Sequence, residues 1–421
     1  MRSAQRKRLV LSVGGTPAWG RALANEYGVA SPILAIDPYN TRYFRAGAQR
    51  SVSGALSTDW VDGGLILGAD GAYQSFAANQ APVLSGVGLD VFQVVTDRVA
   101  DPSDFTAWTA YNVVVTANSI LGPDGETYAD AVLENSASTG QFIYNSHTCS
   151  TGLNTFVTVV RRKAGTRHLQ LRPVGLGAGK AYANFDFDTG TVGSTGGTEF
   201  VSAEMKPLSG GYYKITLTGN YAVAPTGYHN HFIQSSTDAE APSYLGDGTS
   251  GFDFWWGQSA AIGIDFPITS GTRYGTNVTD SDFAALASAY GLNSGLKIGA
   301  SISLDRLSDP ADRCVWSLGA DADNCARIDV TTSNTAKFTL RASASDVLTM
   351  ETTAFGSTGD KAITATLKDG AWALEATGVT GDSDAGTYGL PTLSSFRYGS
   401  KFGNSAYLNG DLNNLVLGRA A

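Results

Sequence analysis

Between Leu89 and Gly275 short apolar or alternating runs recur with turn signals between them. They are Tyr111 to Thr116, Phe142 to Tyr144, Phe156 to Arg161, Leu169 to Arg172, Ala181 to Phe187, Tyr212 to Leu217 and Phe252 to Trp256. None is long enough for a helix of average length, and several short strands at such spacing predict a β-sandwich or barrel. One run shows the pattern residue by residue. In Asn184-Phe185-Asp186-Phe187-Asp188 side chains alternate across a strand, so both phenylalanines share one face and the polar residues share the other. Composition agrees. Glycine supplies 50 of 421 residues and charged residues only 16%, so turns are abundant and solvated helix faces scarce. The expected class is all-β.

At 421 residues the chain is long enough for two or three domains with separate cores. The expected division is a basic arm and small β module over 1–88, a first β-sandwich over 89–275, and a linker helix with a second sandwich over 276–421. A short helix is expected after Thr16-Pro17, ending near Gly28. A second helical pattern, Phe283, Leu286, Ala287 and Tyr290, follows a cap at Asp280 or Ser281 and stops at Gly291. Beyond it the strands resume. Asp369-Gly370 reads as a two-residue type I′ hairpin loop setting Leu367 opposite Trp372 and Ala365 opposite Leu374. Asn409-Gly410 reads the same way, pairing Tyr407 with Leu412 before an apolar last strand, Leu415 to Leu417, that closes the sheet.

A net charge of −9 argues against nucleic acid as the main partner, because phosphate binding needs a basic face. Arg2, Arg6, Lys7 and Arg8 oppose that balance and read either as a solvated tail or as an arm docking on an acidic protein surface. The apolar stretch behind them is too short for a secretory signal, and no run approaches the ~18 residues of a membrane span. The three cysteines, Cys149, Cys314 and Cys325, form no closed disulfide framework and include no Cys-x-x-Cys pair, so buried thiols and no zinc are expected. Cys314 and Cys325 could face each other across a hairpin.

Aromatic rings that stack on sugar C–H faces, beside planar polar groups that bond hydroxyls, are the chemistry of glycan recognition. Trp255-Trp256 is the densest aromatic feature. Alternation allows at most one of the two in the core, leaving the other to emerge or to pack on another module. Tyr228, His229, Asn230 and His231 form the second candidate, a polar loop with two imidazoles on one face, which read as plain surface histidines or as a sugar or interface contact more than as a metal site. Asp321-Ala322-Asp323-Asn324 could offer oxygens to calcium but reads better as an acidic turn. Enzyme signals are poor. Gly175 to Ala181 has a phosphate-loop flavour, yet Val174 occupies the first required glycine and Ala181 the magnesium-binding hydroxyl position. The carboxylates of Asp186 and Asp188 have a spacing that a glycosidase would need, as do many non-catalytic pairs.

The middle segment also carries Phe105-Thr106-Ala107-Trp108, Tyr111 to Asn118, Gly122 to Asp130, Phe185 to Val192, Leu208 to Lys214 and Tyr244 to Gly251. In order and spacing these residues resemble the concanavalin-like carbohydrate-binding sandwich of phage fibres and of the head spikes of gene transfer agents. The C-terminal segment, through Lys368 to Trp372 and Tyr407 to Gly410, is similar to a second concanavalin or laminin-G-like sandwich. The resemblance implies a non-catalytic adhesin for bacterial capsule or lipopolysaccharide. It implies synthesis in the bacterial cytoplasm and display on a virion or phage-like particle, joined to a capsid or spike-base protein by the N-terminal arm. It further implies a homo-oligomer, a trimer first, with no cofactor beyond a candidate calcium. A depolymerase and a purely structural spike subunit are the alternatives. No invariant binding motif comes with the family, so the site has to be argued from residues.

Overall fold

A computed structural model describes residues 17–29, 32–37, 42–45, 48–50, 56–58, 64–68, 70–78, 80–84, 88–91, 95–175, 180–261, 272–273, 278–280, 283–304, 312–401, 408 and 410–420. The basic arm with Arg2, Arg6, Lys7 and Arg8 lies outside them, as do Tyr407 and Asn409 of the expected turn. The chain is mostly β, in several antiparallel sheets, as the turn-punctuated runs require.

Two compact units emerge. One is assembled from Met1–Val61, Ala78–Gln93 and Gly275–Ala421, the other from Asp62–Ala77 and Val94–Tyr274. The expected N-terminal module does not exist as such. Pro32–Asp37 pairs with Gly410–Arg419, Leu56–Thr58 pairs with Val278–Asp280, and Gly88–Val91 pairs with the start of Gly410–Arg419. Short strands cannot bury an apolar face alone, so they complete the sheets of the C-terminal sandwich instead. The units divide after Val61, Ala77, Gln93 and Tyr274. In chain order the second unit is inserted into the first. Its entry and exit strands, Val95–Thr96 and Thr272–Arg273, are hydrogen-bonded to each other.

The assembled unit has a ten-stranded and a seven-stranded sheet. Leu34, Ile36, Ile298, Leu415 and Leu417 from the first pack with Trp316, Ile328, Phe338 and Phe396 from the second in one core. Alternate residues of the same strands, Ala35 and Val416, turn the other way and meet Leu23, Ala24 and Tyr27 of the helix Ala18–Glu26. Gly28 ends that helix at φ +61°, the left-handed step expected of it. The second helix, Phe283–Tyr290, also appears, and Phe283, Leu286 and Ala287 join the core. Gly410–Arg419 does not lie at a sheet edge. It sits between Pro32–Asp37 and Leu296–Leu304, because Leu415, Val416 and Leu417 present apolar groups to both faces and need both covered. Ala365 does face Leu374. In the turn, however, only Gly370 has positive φ, so it lacks the two left-handed residues of a type I′ turn. Cys314 pairs with Asp329 and Cys325 with Gly319, so the two thiols are not opposed; both are buried and free.

The inserted unit is a sandwich of two six-stranded sheets. Val132, Phe156, Leu217, Phe252 and Phe254 of one pack against Ile143, Leu169, Leu171, Phe185 and Phe232 of the other. Phe185 and Phe187 both reach this core, as alternation predicts. Asn184 leaves it but is still buried, bonded to Gln170 at 2.7 Å and to the Asp238 carbonyl at 2.7 Å.

Candidate glycan-binding face

The sheet that carries the site runs, strand by strand, Thr109–Tyr111, Gln141–Ser146, Gly227–Ile233, His168–Pro173, Tyr182–Asp186 and Thr191–Gly196. Its inner face is the apolar core. Its outer face is set by the registers, which align Tyr111, Phe142, His231, Gln170 and Asn184 in one row across the sheet. A second row aligns Thr109, Tyr144, His229 and Arg172. Cross-strand neighbours on one face touch, and here they are rings. Tyr111 stacks on Phe142 at 4.7 Å, Phe142 on His229 at 4.7 Å, and Tyr144 meets His229 edge-on at 4.9 Å. Tyr111 is 46% exposed, while Phe142, Tyr144 and His229 are half-buried. The result is a ring-paved surface open to solvent.

The electrostatics keep this surface free of histidine charge. His229 Nδ1 and His231 Nε2 lie 2.9 Å apart, a hydrogen bond in which one nitrogen must accept, so the two rings cannot both be protonated. Burial pushes His229 down to about 4, helped by the fields of Arg172 and Lys180. Burial drives His231 well below the ordinary range, with His229 and Arg172 adding to it. Arg172 donates its Nε to Glu240 Oε1 at 2.7 Å. The arrangement offers flat apolar ring faces beside imidazole, guanidinium and carboxylate groups, the set that grips a saccharide.

The structure therefore keeps only part of the expected site. His229 and His231 are on the face, but in the strand Gly227–Ile233 and not in a loop. Tyr228 and Asn230 point the other way. Tyr228 is fully buried and donates to the Val157 carbonyl at 3.0 Å, and Asn230 accepts from the Thr158 hydroxyl at 2.8 Å inside the sandwich. Alternation in that strand separates the two pairs. Tyr111, Phe142, Tyr144, Arg172 and Lys180 were not expected there. The period-two placement of Phe142 and Tyr144 around Ile143 was the signal that could have found the rings.

Trp255 and Trp256 are both buried, at 0% and 6% exposure, so neither emerges as a glycan-binding ring and the strict alternation that would separate them does not hold. The cause is a β-bulge. Val159 pairs with Trp256 and Val160 with Phe254, so Trp255 is an extra residue and strict alternation fails. Both indoles join one cluster with Tyr73, Leu208 and Tyr212. Tyr73, from Tyr73–Phe76, lies 5.2 Å from Trp255, whose Nε1 donates to Thr127 Oγ1 at 2.7 Å. The backbone of Gly122 lies against the Trp255 ring, where a Cβ would come within 2.2 Å of Nε1. These tryptophans are cement.

Two acidic clusters deserve the same reading from geometry. His168, Asp186 and Asp188 offer ligand atoms within 4.8 Å of one another. His168 Nδ1 already accepts the Phe187 N–H at 3.1 Å, and Arg162 is ion-paired with Asp188, so a cation would face an occupied nitrogen and a guanidinium. Asp186 is committed too, its carboxylate accepting from the Asp188 and Thr189 N–H groups and from Ser236. Asp321 accepts from the N–H groups of Asp323 and Asn324 at 2.9 Å each, forming the acidic turn expected in preference to a calcium loop.

No protein-family model and no curated protein sequence matches the chain. Among solved structures, domains LG4-5 of the mouse laminin alpha1 chain align over 67% of this chain and 85% of theirs, at 9% identity and TM-score 0.23. Trypanosoma rangeli sialidase in complex with sialic acid aligns over 70% of this chain and 59% of its own, at 11% identity and TM-score 0.26. Its complex with the inhibitor DANA covers 75% and 60% at 10% identity and TM-score 0.26. Likenesses at this level carry no functional argument, and the face has to speak through its chemistry.

Proposed function

We propose that the inserted sandwich is a glycan-binding module and that the chain serves as a non-catalytic spike or fibre adhesin for bacterial surface polysaccharide. One observation carries the binding reading: the registered, solvent-open rows of Tyr111, Phe142, Tyr144 and His229 on an outer sheet face, where soluble proteins normally keep scattered polar residues. The phage-particle setting rests on the sequence resemblance over residues 105–251. In that setting the basic arm docks the protein on the particle, and several copies raise avidity through effective concentration. No chemical step is assigned, since Asp186, the carboxylate nearest to a glycosidase role, is fully engaged in local hydrogen bonds.

Affinity electrophoresis through gels containing host capsular polysaccharide tests the reading. The protein should be retarded, Tyr111→Ala and Tyr144→Ala should each release it with unchanged melting temperature, and the polymer should keep its length. Free migration of the wild-type chain would remove the glycan function. Shortened polymer would convert the adhesin into a depolymerase.

A further inference from the structure

Ala183 and Phe185 lie in the core of the inserted sandwich, so Tyr182 and Asn184, alternating with them in the strand Tyr182–Asp186, belong to the outer face, and Lys180 just before that strand lies within the fields of Arg172, Glu240 and His229. Lys180 is only 9% exposed, yet its ammonium has no hydrogen bond or ion pair to any described residue. Burial lowers its pKa, with Arg172 adding to the effect and Glu240 opposing it. A partly desolvated cation without a counter-ion is costly to hold. Arg172, whose field reaches Lys180, spends its Nε on Glu240 and leaves both terminal nitrogens without a partner among the described residues. One guanidinium, one ammonium and one carboxylate leave a net charge of +1 beside the rings, in a chain whose total is −9. His229 adds no charge at neutral pH, so the excess is fixed by Arg172 and Lys180.

We propose that this face selects acidic saccharides, with Arg172 and Lys180 together receiving the carboxylate of a uronic-type sugar while Tyr144 takes its ring. The inference rests on the glycan-binding reading above. A guanidinium fork matches carboxylate geometry, the ammonium supplies a point charge, and one carboxylate brings the local charge to zero. A neutral sugar would leave the ammonium without an anionic partner. The rings distinguish a saccharide from other carboxylates, because they offer flat area to its C–H face.

The test uses the full-length protein and immobilised polygalacturonate, alginate and hyaluronan, each beside its carboxyl-reduced form. Retention is expected on at least one acidic polymer, weakened tenfold or more on the reduced partner and by raising the salt from 50 to 500 mM. Lys180→Met and Arg172→Gln should each lose at least tenfold on the acidic polymer and little on the reduced one. Tyr144→Ala should lose binding to both. Lys180→Met should also melt no lower than the wild type, since it removes a buried charge, which separates lost recognition from lost folding. Equal retention on acidic and reduced polymers would overturn the acidic preference and leave the glycan reading intact. Retention on none of the acidic polymers would overturn the preference, and if host capsule also failed to retain the protein, the glycan reading would fall with it.

Discussion

The two sandwiches finish their polar surfaces in opposite ways. In the assembled unit Asp329 is almost wholly buried, yet Arg327 reaches it at 2.9 Å and Lys401 at 3.4 Å. Nearby hydroxyls pair among themselves, as Thr331 does with Thr335 at 2.7 Å. In the inserted unit the corresponding chemistry is left open, with rings in place of hydroxyls and a cation in Lys180 that nothing described neutralises. All four histidines of the chain, His147, His168, His229 and His231, lie in the inserted unit as well. A closed polar face stabilises; an open one waits for a ligand. The difference leaves the insertion, and not the assembled sandwich, with the open face on which the proposed function rests.

The largest test of that division is to empty each core separately. Trp255→Ala and Trp316→Ala both remove fully buried indoles and should each cost about 3 to 5 kcal/mol. Calorimetry should show each variant lowering a different unfolding transition; a single transition lowered equally by both would break the picture of two independent cores. Next is Glu134, buried and bonded to Arg167 through three contacts of 2.7 to 3.1 Å and to Tyr244 at 2.7 Å. Glu134→Gln leaves Arg167 only its longer contact to the Asp247 carboxylate at 3.5 Å and should cost about 3 kcal/mol in denaturant titration, confined to the inserted unit.

Binding should divide in the same way. Tyr144→Ala should weaken polysaccharide retention at least tenfold, about 1.4 kcal/mol. Arg327→Gln, on the closed face, should leave retention unchanged, and an equal loss in both would erase the contrast.

The pH response follows from the histidines. Burial depresses all four, His147 and His229 to about 4. A base whose folded pKa lies below its unfolded value takes up protons preferentially in the unfolded state. Its contribution is therefore complete above the unfolded pKa near 6.5 and is lost as pH falls towards 4. Asp97, raised to about 7 by burial, acts in the opposite sense and offsets part of the loss. Urea melts at pH 7 and pH 5 should show the inserted transition weakening more than the other, and His229→Gln should reduce that slope. The smallest effect belongs to the exposed pair Arg341 and Asp346, 3.7 Å apart on the assembled unit, where Asp346→Asn should change stability by less than about 0.5 kcal/mol.

How much of this was readable in advance depended on whether a rule was local. The helix from Ala18 to Glu26 and its stop at Gly28 were legible within a dozen residues, although the cap position falls on Pro17, which makes no side-chain cap hydrogen bond. The same alternation rule that correctly put Phe185 and Phe187 inside also separates Tyr228 and Asn230 from His229 and His231, and it was not applied there. The Trp255-Trp256 expectation failed for a different reason, because the bulge depends on Val159 and Val160, nearly a hundred residues away in the chain. Lys180 was visible only inside a rejected phosphate loop.

By itself, the sequence determined what depends on neighbours along the chain: the β class, the strand runs, the helix ends, and the low charge that suits a surface meeting hydroxyls. Tertiary structure decided which strands share a sheet, so that residues 32–37 pair with a strand that lies nearly four hundred residues further on, at 410–419. It also decided which rings share a face. Tyr111, Phe142, His229 and Arg172 lie on four different strands, and only hydrogen-bonded register, set by the burial of the opposite face, aligns them into one surface.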